Sequence, residues 1–163
     1  MAQSAPLGDA LPVPKGRSVA RNRAKLKVVK PVEPTNSAGG KDYFIQKDGQ
    51  TYAGSHILID LWGATNLDKV QVIEDALREA TAVCCATLLH IHLHEFTPNG
   101  GISGVAVLAE SHISVHTWPE RAFAAFDVFM CGACQPELAI PVLSRHFQPA
   151  RVDVTDRKRG LIE

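Results

Sequence analysis

Residues 87–130 read TLLHIHLHEFTPNGGISGVAVLAESHISVHTWPERAFAAFDVFM, and this stretch decides the fold. At its start Leu89, Ile91 and Leu93 alternate with His90, His92 and His94. That is the period of a strand, whose successive side chains point to opposite faces. Pro98-Asn99-Gly100-Gly101 then makes a turn, because paired glycines supply the backbone angles that other residues resist. Further strands follow at 102–109, 112–118 and 123–130. Their short connections suit antiparallel neighbours, since parallel strands need long crossovers.

Outward from this block, residues 56–62 (HILIDLW) are apolar and β-branched enough for a buried strand. Asn66 or Asp68 can cap a helix whose apolar Leu67, Val70, Ile73, Leu77, Ala80 and Cys84 recur at spacings of three and four. On the other side, 135–147 reads as a helix with Pro136 near its first turn and Pro141 as an awkward interior residue. Residues 151–155 close the sheet. The order β-α-β-β-β-β-α-β predicts an α+β two-layer sandwich, a largely antiparallel sheet with helices on one face. Its uncovered face carries His90, His92 and His94, and a partly apolar face of this kind suits a homodimer.

A chain of 163 residues builds one ordinary domain, here 51–163, and hardly two. Residues 1–50 hold half the prolines, a basic run from Lys15 to Lys30 and no sustained period, so they read as a disordered basic tail. Residues 1–48 carry nine Lys and Arg against four Asp and Glu, and the remainder eight against thirteen. The mildly acidic body argues against nucleic acid as the partner and suits a cationic substrate. No apolar run reaches the length of a membrane span, and the first residues lack the charged start and apolar stretch of a secretory signal. Cys84, Cys85, Cys131 and Cys134 are accordingly expected to be reduced thiols in a cytoplasm.

Two groups of residues compete for the chemistry. His90, His92 and His94 share one strand face, suitable for a zinc ion with an open position, and Cys131-x-x-Cys134 adds a second metal-like pair. Zinc sites usually recruit a ligand from another element, however, and no second Cys-x-x-Cys completes a tetrad. A solvated or interfacial face is the better reading of these histidines, and no metal is expected. The other group is GISGVAVLAESHISVHTWPE at 101–120 with FAAFDVFMCG at 123–132. Ser103, Ser111, His116 and Cys131 each have a plain reading as strand or turn residues when taken singly.

Together these segments resemble the bacterial S-adenosylmethionine decarboxylase proenzymes, whose signature E-S-H-[IL]-S-[IV]-H-T-W-P-E stands intact at 110–120 and whose later D-[VL]-F-x-C-G stands at 127–132. The resemblance covers about residues 54 to 157. It implies self-cleavage between Glu110 and Ser111 into a β chain of 1–110 and an α chain of 111–163. Ser111 would attack the Glu110 carbonyl, and elimination and hydrolysis would leave a pyruvoyl group at the new N-terminus. That group is the implied cofactor. It would form a Schiff base with the substrate's α-amine and take up the electrons released with CO₂. His116 matches the histidine that handles protons in processing, and Ser103 the serine that assists it. Cys131 matches the cysteine that returns a proton to the substrate. Phe96 matches an aromatic that stacks on adenine, and Glu120 a carboxylate that binds the ribose hydroxyls. Ala133 departs from the pattern, standing where the family often carries an acidic residue.

The implied activity is decarboxylation of S-adenosylmethionine for spermidine-type polyamine synthesis, by a homodimer of processed αβ units. The rivals are a sister pyruvoyl enzyme acting on arginine or ornithine, and a non-catalytic zinc-binding or partner-binding domain built on His90, His92 and His94.

Overall fold

The computed structural model describes residues 43–162, so the tail reading for 1–42 lies outside the described residues. Within them the fold starts earlier than position 51. Strands β1 (Ile45–Lys47) and β2 (Gln50–Tyr52) form a hairpin over Asp48-Gly49, two residues that both adopt left-handed backbone angles. Three-residue strands are too short to show a period, which is why this hairpin is not legible in the sequence.

The chain continues through β3 (Gly54–Trp62), α1 (Val70–Val83), β4 (Leu88–Phe96), β5 (Gly101–Leu108), β6 (Ser111–Trp118), β7 (Phe123–Met130), α2 (Ala139–Phe147) and β8 (Arg151–Arg159). The six long strands form one sheet in the order β4-β5-β6-β7-β3-β8, with every neighbouring pair antiparallel. This is the expected α+β sandwich, with both helices on one face.

The core lies between that face and the helices. Ile57, Ile59 and Leu61 of β3, Ile113 and Val115 of β6, and Phe126, Val128 and Met130 of β7 are buried against Ile73, Leu77 and Ala80 of α1 and Leu143 and Phe147 of α2. Burying side chains of this size contributes about 1.5–3 kcal/mol each, enough to fix which sheet face turns inward. Across the helix layer, Glu79 of α1 accepts hydrogen bonds from Arg145 and, at 2.8 Å, from His146 Nε2 of α2.

Several local expectations are corrected. Neither Asn66 nor Asp68 caps α1. The cap position is Lys69, and the Asn66 amide instead donates to the His146 carbonyl at 3.1 Å, tying the connection to α2. Val70, expected on the buried stripe, is half-exposed at the helix start. Pro141 is not awkward, because Pro136–Leu138 is a separate 3₁₀ turn and α2 begins only at Ala139. Pro141 therefore falls in the first helical turn, where an amide N–H has no partner to lose. Leu89 is 63% exposed although it was placed with Ile91 and Leu93. A register shift between Leu88 and His90 breaks the alternation there and hands the inward position to Leu88.

Candidate active site

The β5–β6 hairpin turns over two residues, Ala109 and Glu110, because Leu108 pairs with Ser111. Glu110 sits at φ 62°, the left-handed region that a residue with a Cβ enters at a cost of about 1–2 kcal/mol. Ser111 follows at once and opens β6 on the inner face, only 8% exposed. The Glu110–Ser111 bond thus joins a strained turn residue to a clamped serine.

Pairing of β6 with β7 carries Cys131 beside this bond, one position beyond the end of β7. The Cys131 thiol donates to the Glu110 carbonyl oxygen at 3.3 Å. Its backbone N–H donates to Ser111 Oγ at 3.4 Å, and Sγ lies 3.8 Å from that oxygen. One residue therefore touches both the nucleophile and the carbonyl it would attack. A cavity of about 640 Å³ opens here, lined among others by Glu110, Cys131, Gly132 and Cys134 and by Tyr43 and Phe44. Burial and the neighbouring Cys131 and Cys85 push the Cys134 thiol above its usual range, so it stays protonated at neutral pH. Cys84, deeper still, is pushed up to about 12 by burial and is an inert core thiol.

The other expected residues assemble elsewhere. Ser103 of β5 and His116 of β6 face each other across the ladder, with Oγ 2.8 Å from Nδ1. With Phe96 and Glu120 they line a second cavity of about 330 Å³. Ser111 and His116 are five residues apart on one strand, so they point to opposite faces and lie about 16 Å apart along it. Within one chain the histidine does not reach the serine it was expected to serve. The odd spacing in the sequence already carried that signal.

The face bearing Ser103 and His116 is the one that, among the described residues, no helix covers. His56, His90, His92, His94, His112 and His116 all stand on it, six of the seven histidines. Half-exposed Leu58, Trp62, Val107 and Trp118 share it. At its centre His56 Nε2 and Ser114 Oγ each contact the Asp127 carboxylate, at 3.2 and 3.1 Å. Burial and then the nearby His56 lower the pKa of His112, which favours its neutral form. Among the described residues no three His, Cys, Asp or Glu side chains converge on a point that could hold a metal ion. Among the same residues no helix is long and apolar enough to cross a membrane.

Residues 55–160 match the family described as S-adenosylmethionine decarboxylase. A protein from Thermomicrobium roseum named S-adenosylmethionine decarboxylase proenzyme is 47% identical over 110 residues, covering 67% of this chain and 95% of that one. A protein of the same name from Methanococcus maripaludis is 49% identical over 113 residues, covering 68% and 92%. The crystal structure of the adenosylmethionine decarboxylase from Aquifex aeolicus superposes with a TM-score of 0.62 at 36% identity, over 69% of this chain and 94% of that one.

Proposed function

The chain belongs to the S-adenosylmethionine decarboxylase family, and from that premise we propose that it is a precursor that cleaves itself between Glu110 and Ser111 and then removes CO₂ from S-adenosylmethionine. The observation that carries this reading is the Cys131 thiol on the Glu110 carbonyl with the Ser111 hydroxyl beside it. The thiol polarises the carbonyl towards attack, and the Cys131 N–H holds Ser111 Oγ in place for it. Attack converts the amide to an ester without loss of atoms. Removal of the Ser111 Cα proton then expels the Glu110 carboxylate, and water replaces the nitrogen of the residue left behind, releasing ammonia. Strain at Glu110 is released with the bond that is cut.

The product of this sequence is a pyruvoyl group at residue 111. The site suits it, because Glu110 and Cys131, the residues that flank Ser111 Oγ, line a cavity within the size range of small-molecule sites. When present, that group supplies the electron sink for loss of CO₂. Cys131 Sγ lies 3.8 Å from the Ser111 oxygen, placed to pass a proton to the substrate carbon. Phe96 and Glu120 offer an aromatic face and a carboxylate, matched to a purine and to ribose hydroxyls.

A homodimer completes the site in this reading. Its support is the partly apolar face opposite both described helices and the separation of Ser103–His116 from Ser111. Two copies stacked by these faces about a two-fold axis across the strands would run their β6 strands in opposite directions. The far end of one β6, with its His116, then lies over the near end of the other, at the hairpin turn where Glu110 joins Ser111.

Denatured mass spectrometry of the purified protein tests cleavage directly. Two fragments split at Glu110/Ser111, the smaller about 17 mass units lighter than plain hydrolysis would leave it, the mass of the ammonia released, are the expected result. A single mass that persists on long incubation refutes it. Ser111→Ala should stay in one piece without activity, whereas His92→Ala should still be cut.

A further inference from the structure

The region matched by the family starts at residue 55, and the β1–β2 hairpin lies ahead of it. This hairpin reaches the reaction cavity. Tyr43 and Phe44 lead into β1 and line the cavity beside Glu110 and Cys131. The Tyr43 carbonyl accepts the Gly132 N–H at 2.9 Å, immediately after the Cys131 thiol. Gly132 stands at φ 60°, and a Cβ there would come 3.7 Å from Tyr43 Cδ1, so the ring edge covers that turn.

The hairpin is firmly seated. Tyr52 is buried under the Lys158 ammonium, 5.1 Å from its ring centroid. The Thr51 carbonyl accepts the Ile162 N–H and the Arg159 carbonyl the Ala53 N–H, each at 2.8 Å. A wall so anchored holds its position beside the reacting bond.

We propose that Tyr43 and Phe44 are an added wall of the reaction cavity, shielding Cys131 from solvent and presenting aromatic faces to the sulfonium cation of the substrate. The sulfonium part rests on the S-adenosylmethionine reading. Aromatic rings attract cations through their quadrupole, and the Glu110 carboxylate on the same cavity adds negative charge. Both residues act by positioning and enclosure, with no bond made or broken at either.

The test is made in the full chain carrying Ser111→Ala, so that cleavage cannot confound it. Alkylation of Cys131 by iodoacetamide, read by peptide mass, should run at least about fivefold faster with Tyr43→Ala/Phe44→Ala, since thiol reactivity follows exposure. S-adenosylmethionine binding by titration calorimetry should weaken about tenfold, the scale of one desolvated cation–π contact. Tyr43→Leu/Phe44→Leu separates the two roles, and it stands in if the alanine pair fails to fold. It should keep Cys131 slow while binding stays weak. Alkylation in the alanine pair within about twofold of the parent overturns the proposal, as does unchanged binding in the leucine pair. Faster alkylation when neither chain binds S-adenosylmethionine leaves the wall standing and refutes the substrate instead.

Discussion

The left-handed backbone at Glu110 gives a sharp prediction, because its contribution to cleavage can be isolated from that of the side chain. Glu110→Ala removes the carboxylate but keeps a Cβ at φ 62°. Glu110→Gly removes the Cβ as well, and glycine occupies that region freely. The difference between the two variants therefore reports the strain alone. A Cβ there costs about 1–2 kcal/mol, and at about 1.4 kcal/mol per tenfold in rate its full release would be worth about fivefold to thirtyfold. The glycine variant should cleave more slowly than the alanine variant by that factor, followed as loss of precursor on a denaturing gel after rapid purification. The opposite sign is expected for stability in the uncleaved Ser111→Ala background. There glycine relieves the strain but adds about 0.5–1 kcal/mol of backbone entropy to the unfolded chain, a net gain of about 0.5–1 kcal/mol. That should raise the melting temperature by about 2–5 °C. A glycine variant that cleaves as fast as the alanine variant while melting higher would refute the role of strain in cleavage.

Other predictions concern the dimer, the helix layer and the sheet. His116→Ala alone should remain uncut, but when co-expressed with Ser111→Ala its Ser111 meets an intact histidine on the other copy and the His116→Ala chain should be cleaved. Mixed dimers that form and stay uncut would sink the shared-site proposal. His146 first and Arg145 second lower the pKa of Glu79, so the stability this contact adds is present above the usual glutamate range and is lost as pH falls through the lowered value. Glu79→Gln should accordingly lower the melting temperature at pH 7, with the gap to the parent closing below pH 4, roughly where a free glutamate titrates. An unchanged gap across that range would count against the contact. Gly104→Ala should melt lower by an amount equivalent to about 1–3 kcal/mol, because its Cβ would stand 2.4 Å from both the His92 carbonyl and Leu93 Cδ2 on the neighbouring strand. A melting temperature equal to the parent's would contradict that packing.

Much of this was legible in the sequence, and where it was not the cause is specific. The long strands announced themselves by period, and β7 matches its sequence expectation to the residue because alternation and flanking turns both mark it. The start of α1 and the break before α2 depart from the sequence expectation. Asn66 has a capping side chain, but the fold uses it to hold the chain end of α2. Leu89 looked like a core residue because a register shift leaves no trace in a hydrophobic pattern. The β1–β2 hairpin escaped notice since its strands are too short for any periodic signal.

The sequence by itself determined the sandwich and, through a resemblance in one contiguous motif, nominated the Glu110–Ser111 segment and its reactive residues. These follow from features local in the chain: a period of two, a period near 3.6, and one contiguous motif. Only the tertiary structure decided who meets whom. Hydrogen-bonded register between β6 and β7 sets the Cys131 thiol on the Glu110 carbonyl across twenty residues of chain. The turn after β7 brings Gly132 to Tyr43, from a segment that reads as tail. Strand parity sends Ser111 and His116 to opposite faces of one sheet, a separation that a single copy of the chain cannot close.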